Sequence, residues 1–238
     1  MYTTRLIKSL RVWDEKMIAL KEWAIVCKAL EDGKQILLLR KGGIMEFRKG
    51  FEVKHNEFFL YPTYEHQSKN AIKDEYIPYL ESLLYDRHYN KKYDSNKNSI
   101  NLFAQVYEII EITDRAILPK LQNYHIWNNE YVTMRINYNP TKPLNILLLR
   151  IFKIKEPLVV DIKDEWAGCR SWLNIDVDKK WENFELTDYL NKGLRGDKSN
   201  IIGNDTDDNN KKALIEPVLN DYRFNEIAKG IKEAVSNK

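Results

Sequence analysis

YVTMRINYNPTKPLNILLLRIFKIKEPLVVDI, residues 131–162, is the stretch that decides the expected fold. Tyr131–Tyr138 and Leu144–Ile154 are rich in β-branched and large apolar residues, and Asn139-Pro140-Thr141-Lys142-Pro143 between them is turn chemistry. Leu158–Ile162 follows across Pro157, and Ser171–Val177 follows across Gly168. Strands this close, joined by short turns, predict antiparallel pairing, because parallel crossovers need longer connections. The sheet so formed is able to curl into a barrel.

Working outward, Leu6, Ile7, Leu10, Trp13, Met17 and Leu20 recur at three- and four-residue steps and predict an amphipathic helix over 3–23. Trp23–Leu30 and Gln35–Arg40 are apolar runs joined by Glu31-Asp32-Gly33-Lys34, which reads as a hairpin because Asp-Gly supplies the positive φ of such turns. Val53–Tyr61 reads as a strand stopped by Pro62, after which Thr63 caps a helix carrying Glu65 and His66 in its first turn. Asp86–Ser99 reads as a mobile loop, Leu102–Ile112 as strand or short helix, and Asp114–Tyr124 as a helix interrupted by Pro119. The expected class is α+β: a mainly antiparallel sheet with flanking helices, an N-terminal helix and a C-terminal helical tail. Three parts are expected: a helical segment at 1–22, a module at 23–178, and an extension at 179–238 with a linker at 199–212 and a terminal helix.

Composition is that of an ordinary folded protein, with 43% hydrophobic and 31% charged residues in 238. The longest apolar runs, such as Ile36–Leu39 and Ile146–Leu149, fall far short of a membrane span. With no apolar leader segment, this predicts a cytoplasmic protein that does not enter membranes. Cys27 and Cys169 form no CxxC pair, which argues against a zinc knuckle or a disulfide framework. Gly168-Cys169-Arg170 puts an arginine beside a thiol, although a structural thiol reads equally well.

Net charge is only +3, but residues 40–54 contain Arg40, Lys41, Arg48, Lys49 and Lys54 against Glu46 and Glu52 and account for all of it. Arg40-Lys41-Gly42-Gly43 sets two cations against flexible backbone at a strand end, an arrangement suited to phosphate. It is not a P-loop, since no GxxxxGK[ST] occurs. Lys54, and Arg135 and Arg150 within apolar segments, complete the candidate anion-binding set. His55, Glu57 and His66 are the candidate catalytic groups, because two imidazoles and a carboxylate can exchange protons near neutral pH or ligate a metal. Glu52-Val53-Lys54 has the E-x-K spacing of metal-dependent nucleases, with Asp32 as the nearby acid, and would call for Mg²⁺ or another divalent ion. Trp127 and Trp172 are candidates to stack a base, beside His125.

The segments EWAIVCKALEDGKQILLLRKGGI, FEVKHNEFFLYPTYEHQ, YHIWNNEYVTMRINY, LLLRIFKIKEP and GCRSWL together resemble the bacterial family known as domain of unknown function 1802, over roughly Ala19–Leu173. RKGGI and LYPTYEHQ carry the resemblance most specifically. It implies a bacterial, intracellular setting and brings no catalytic residue with it. A compact antiparallel module of this ordering is also similar to RNA-binding barrels of the PUA and ASCH type, a likeness of fold only. Three functions follow from these residues: a nucleic-acid- or nucleotide-binding module, a phosphodiester-cleaving enzyme using His55 and His66 with or without a divalent metal, or a non-catalytic protein-interaction module.

Overall fold

The structure, a computed structural model, describes residues 16–41, 55–89, 94–138, 140, 142–168, 170–177, 181 and 214–236. Its centre is a long antiparallel pair, Lys97–Ile112 (β4) with Leu144–Asp161 (β5), in register from Lys97 opposite Asp161 to Ile112 opposite Leu144. Lys16–Trp23 (β1), Leu37–Arg40 (β2), Glu57–Thr63 (β3) and Trp172–Asp176 (β6) extend it in the order β2-β5-β4-β3-β1-β6. Ile215–Pro217 (β7) pairs with β5 off that path. Only β1 with β3 runs parallel, so the sheet is mixed, mainly antiparallel and not closed. Helices Ala24–Glu31 (α1), Ile77–Tyr89 (α2), Asn129–Asn137 (α3) and Asp221–Ser236 (α4) complete the α+β architecture. No helix among the described residues is long and apolar enough to cross a membrane.

Because successive strand residues point to opposite sides, the sheet builds two cores. Leu20, Phe58, Leu60, Leu102 and Ile151 face one, covered by α1, α3 and α4. Ala19, Phe59, Tyr61, Phe103 and Phe152 face the other, with Trp166, Trp181 and Ile215. The aromatic run Phe58-Phe59-Leu60-Tyr61 is therefore interior on both sides.

Several elements differ from the sequence reading. Lys16–Trp23 is a strand rather than the end of a helix, held between β3 and β6. A strand buried on both faces reads as a continuous apolar run, and its period is lost. Trp23–Leu30 is not a strand: Ala24, Ile25, Val26, Cys27, Ala29 and Leu30 are all buried, and a helix buried nearly all round has no amphipathic spacing to recognise. Gly33 has φ of 63°, as the Asp-Gly pair predicts, but it ends α1 rather than turning a hairpin. Lys34 N donates to Ala29 O at 2.9 Å and Gly33 N to Leu30 O at 3.1 Å, the paired bonds of a Schellman end.

Tyr131–Tyr138 is also helical, since Asn128 Oδ1 accepts from Tyr131 N at 2.9 Å and caps α3. Leu144–Ile154 and Leu158–Ile162 are expected as two strands, yet β5 runs through Pro157. The ladder skips from Lys153 opposite Leu102 to Leu158 opposite Ile100, so the missing donor falls in a bulge. Pro62 likewise lies inside β3, beyond the last β3 to β4 pair at Leu60 and Leu102. Thr63 caps no helix; its Oγ1 accepts from Glu65 N at 3.3 Å in a turn. The segment Arg115–Tyr124 is a 3₁₀ helix capped by Asp114. Residues 214–236 return to the sheet: Arg150 meets Asp221 at 2.5 Å and Lys232 meets Glu108 at 3.2 Å. The expected helix over 3–15 and the linker at 199–212 lie outside the described residues.

Candidate functional site

The cations of the Arg40-Lys41 pair are drawn into the fold. Arg40, the last residue of β2, donates from Nη2 to Lys21 O of β1 at 2.8 Å, and its Nε lies 3.7 Å from Glu22 Oε2. β2 and β1 share no ladder, so this guanidinium reaches across the open side of the sheet. Lys41 is only 4% exposed. Its Nζ donates to Ile136 O in the last turn of α3, where the helix dipole presents its negative end to a cation.

What surrounds Lys41 is more cation. Burial lowers the pKa of its ammonium, and the nearby Arg115 and Arg135 lower it further. Arg115 opens the 3₁₀ helix and Arg135 sits in the last turn of α3; neither forms an ion pair among the described residues. Met134 and Tyr138, 57% and 43% exposed, stand beside Arg135 on the same helix end. Tyr131, one turn earlier, has its phenol pKa raised by burial, while Arg135 and Arg40 oppose that shift. Of the seven expected anion-binding residues, Arg40, Lys41 and Arg135 are thus brought together. Gly42, Gly43 and Lys54 lie outside the described residues. Arg150 is elsewhere, ion-paired to Asp221 and lying 4.7 Å over the Phe224 ring.

The two histidines of the expected catalytic trio flank opposite ends of β3. His55 precedes β3 and packs edge-on against Trp172 at 5.3 Å, while His66 follows β3 in an exposed turn with φ of 58°. The seven-residue strand between them continues through Pro62, about 20 Å of extended chain. Glu57 accepts from Gln105 Nε2 at 3.4 Å and shares the sheet face of Phe59, whereas Trp172 packs on Phe58 of the opposite face. Asp32 is paired to Lys28 at 2.7 Å, and no group of three metal-ligating side chains occurs among the described residues. Trp127 is buried against Tyr131, so it offers no open face for a base.

Other groups read from the sequence are structural. Gln67 Oε1 accepts from Ile25 N at 3.0 Å and fixes the start of α1. Tyr64 lies under the Arg87 guanidinium at 5.2 Å. Burial pushes the Cys27 thiol pKa well up and leaves it unreactive, and Cys169 lies outside the described residues. His125 is 2% exposed and neither ring nitrogen meets a hydrogen-bond partner. Burial first, and Lys73 second, push its pKa down to about 4, so it is neutral at pH 7; backbone of Trp127 and of His125 itself pulls weakly the other way.

Sequence reading misses Arg115, whose only local signal is its place after the capping Asp114, and Lys21. Lys21 Nζ donates to Trp166 O at 2.7 Å, Gly168 O at 3.0 Å and Glu65 Oε2 at 3.2 Å.

The pattern of the family described as Domain of unknown function (DUF1802) matches residues 19–186. No curated protein matches the chain. Among solved structures, the ASCH protein of Zymomonas mobilis is similar at 14% identity, covering 75% of this chain and 96% of its own, with a TM-score of 0.37. A serine-to-alanine variant of that protein matches at 14% identity over 76% of this chain and 98% of its own, with a TM-score of 0.38. Likeness at that level carries no functional argument.

Proposed function

The chain belongs to the DUF1802 family, a domain of unknown function, and from that premise we propose that it binds nucleic acid through the cationic corner formed by Lys41, Arg115 and Arg135. One observation carries the reading: buried Lys41 has Arg115 and Arg135 close enough to add to the effect of burial on its ammonium, and none of the three forms an ion pair among the described residues. Like charges gathered at that density are stabilised by an anion. Tyr138 and Met134 add an exposed aromatic ring and a soft side chain beside the charges, as a single-strand surface requires.

Cleavage by His55 and His66 acting together is not favoured, because β3 separates them. The test is fluorescence anisotropy with labelled single-stranded RNA and DNA across a salt series. Binding should weaken linearly on a log-log plot, and Arg115→Glu with Arg135→Glu should weaken it at least about tenfold. No anisotropy change at low salt, or equal binding by the charge-reversed protein, would overturn the proposal and leave a protein-interaction module as the better reading.

A further inference from the structure

A cleft of about 270 Å³ opens between the outer face of α1 and the turn that leads into α2, and none of the cationic-corner residues lines it. Its base is apolar: Ile25 and Ala29, one helical turn apart on α1, are 1% and 4% exposed. Its rim is aromatic. Tyr76 is half-buried and Tyr79 is 56% exposed, with ring centroids 6.3 Å apart and planes inclined by 44°, so the two phenols form a notch rather than a closed stack. Lys28 and Asp32 on the α1 side neutralise each other at 2.7 Å. Lys34 and Glu75 are exposed and form no ion pair among the described residues, leaving one cation and one carboxylate on the rim of the cleft. The Schellman end at Gly33 is what places Lys34 there, since it turns the chain out of the helix at that point.

We propose that this cleft is a binding site for a single purine nucleoside monophosphate. An apolar floor with tyrosine faces takes a planar base, which stacks on aromatic rings whatever its sequence. Lys34 takes the phosphate as a point charge. Glu75 on the rim accepts hydrogen bonds from the donors on a base edge, and the tyrosine hydroxyls donate to its acceptors. This site stands independently of the cationic corner, and either can fail without the other.

Titration of the full chain with AMP, GMP and ribose 5-phosphate, followed by isothermal calorimetry, tests it. AMP and GMP should both bind saturably, and ribose 5-phosphate not measurably. Tyr79→Ala and Lys34→Glu should each weaken AMP by about fivefold or more. Both positions are exposed, so both variants should keep the wild-type circular dichroism spectrum. The Arg115→Glu/Arg135→Glu protein should bind AMP as the wild type does. Absence of binding by both nucleotides, equal affinity for ribose 5-phosphate, or unchanged AMP affinity in Tyr79→Ala would overturn the site.

Discussion

Two lysines are buried among the described residues, and their surroundings are opposite. Lys21, in the middle of β1, has two backbone carbonyls and the Glu65 carboxylate around its ammonium. Lys41, one residue past β2, has one carbonyl and two arginines. The first is a cation whose partners are complete, so it fastens Glu65, Trp166 and Gly168 to the sheet and asks for nothing more. The second has two arginines near it and no ion-pair partner among the described residues, an imbalance that an incoming anion would correct. Burial alone does not separate structural cations from functional ones; the sign of the neighbours does.

Breaking the comparison at its structural end should give the largest effect. Lys21→Met leaves the Trp166 and Gly168 carbonyls without a donor and should cost about 3 kcal/mol in urea unfolding at pH 7. A loss below about 1 kcal/mol would remove the distinction between the two lysines.

A third buried region sharpens it. Lys73 Nζ is held by Gln122 O at 2.6 Å and His125 O at 2.7 Å, and its charge helps keep His125 neutral. The folded pKa of about 4 lies below the ordinary 6.5. As pH falls between those values the unfolded chain takes up the proton first, so this stabilisation is fully present above pH 6.5 and declines towards pH 4. The decline should amount to about 3 kcal/mol. It should be missing from His125→Phe when unfolding of the variant and the wild type is followed across that range. An unchanged pH slope in the variant would show that other groups govern it.

At the functional end, Arg115→Glu/Arg135→Glu should lower the slope of log affinity against log salt by roughly two, about one for each phosphate that is no longer neutralised. Thermal stability should stay within about 0.5 kcal/mol of wild type. The smallest effect is expected for Lys41→Met, about 1 kcal/mol, because one carbonyl is left without its donor while the repulsion from Arg115 and Arg135 is relieved. A cost equal to that of Lys21→Met would mean that Lys41 is a structural cation as well.

Much of the sheet is legible in the chain. Leu102–Ile112 and Leu144–Ile154 belong to β4 and β5, and Trp172–Asp176 falls inside the predicted Ser171–Val177. Pro62 and Pro157 read as stops because a proline lacks a donor, yet Pro62 lies past the end of the β3 to β4 ladder and Pro157 in the skip of the β4 to β5 ladder, which only the pairing reveals. The site is legible in part. Residue type singles out Arg40, Lys41 and Arg135, but the local pattern puts Arg135 on a strand and gives no sign of Arg115, since nothing in a linear chain says that residues 41, 115 and 135 meet. His55 and His66 read as neighbours only if the chain folds back at Pro62, and β3 runs straight through it.

By itself the sequence determined the α+β class, a mainly antiparallel sheet, the positive φ at Gly33 and the family to which the chain belongs, because these rest on local propensity, turn chemistry and residue identity. Tertiary structure decided whether Lys16–Trp23 and Trp23–Leu30 are strand or helix, since burial on every side erases the period that would have told them apart. It also decided which charges face one another. Coulomb energy depends on distance through space, and packing α3 and the 115–124 helix against the end of β2 set those distances.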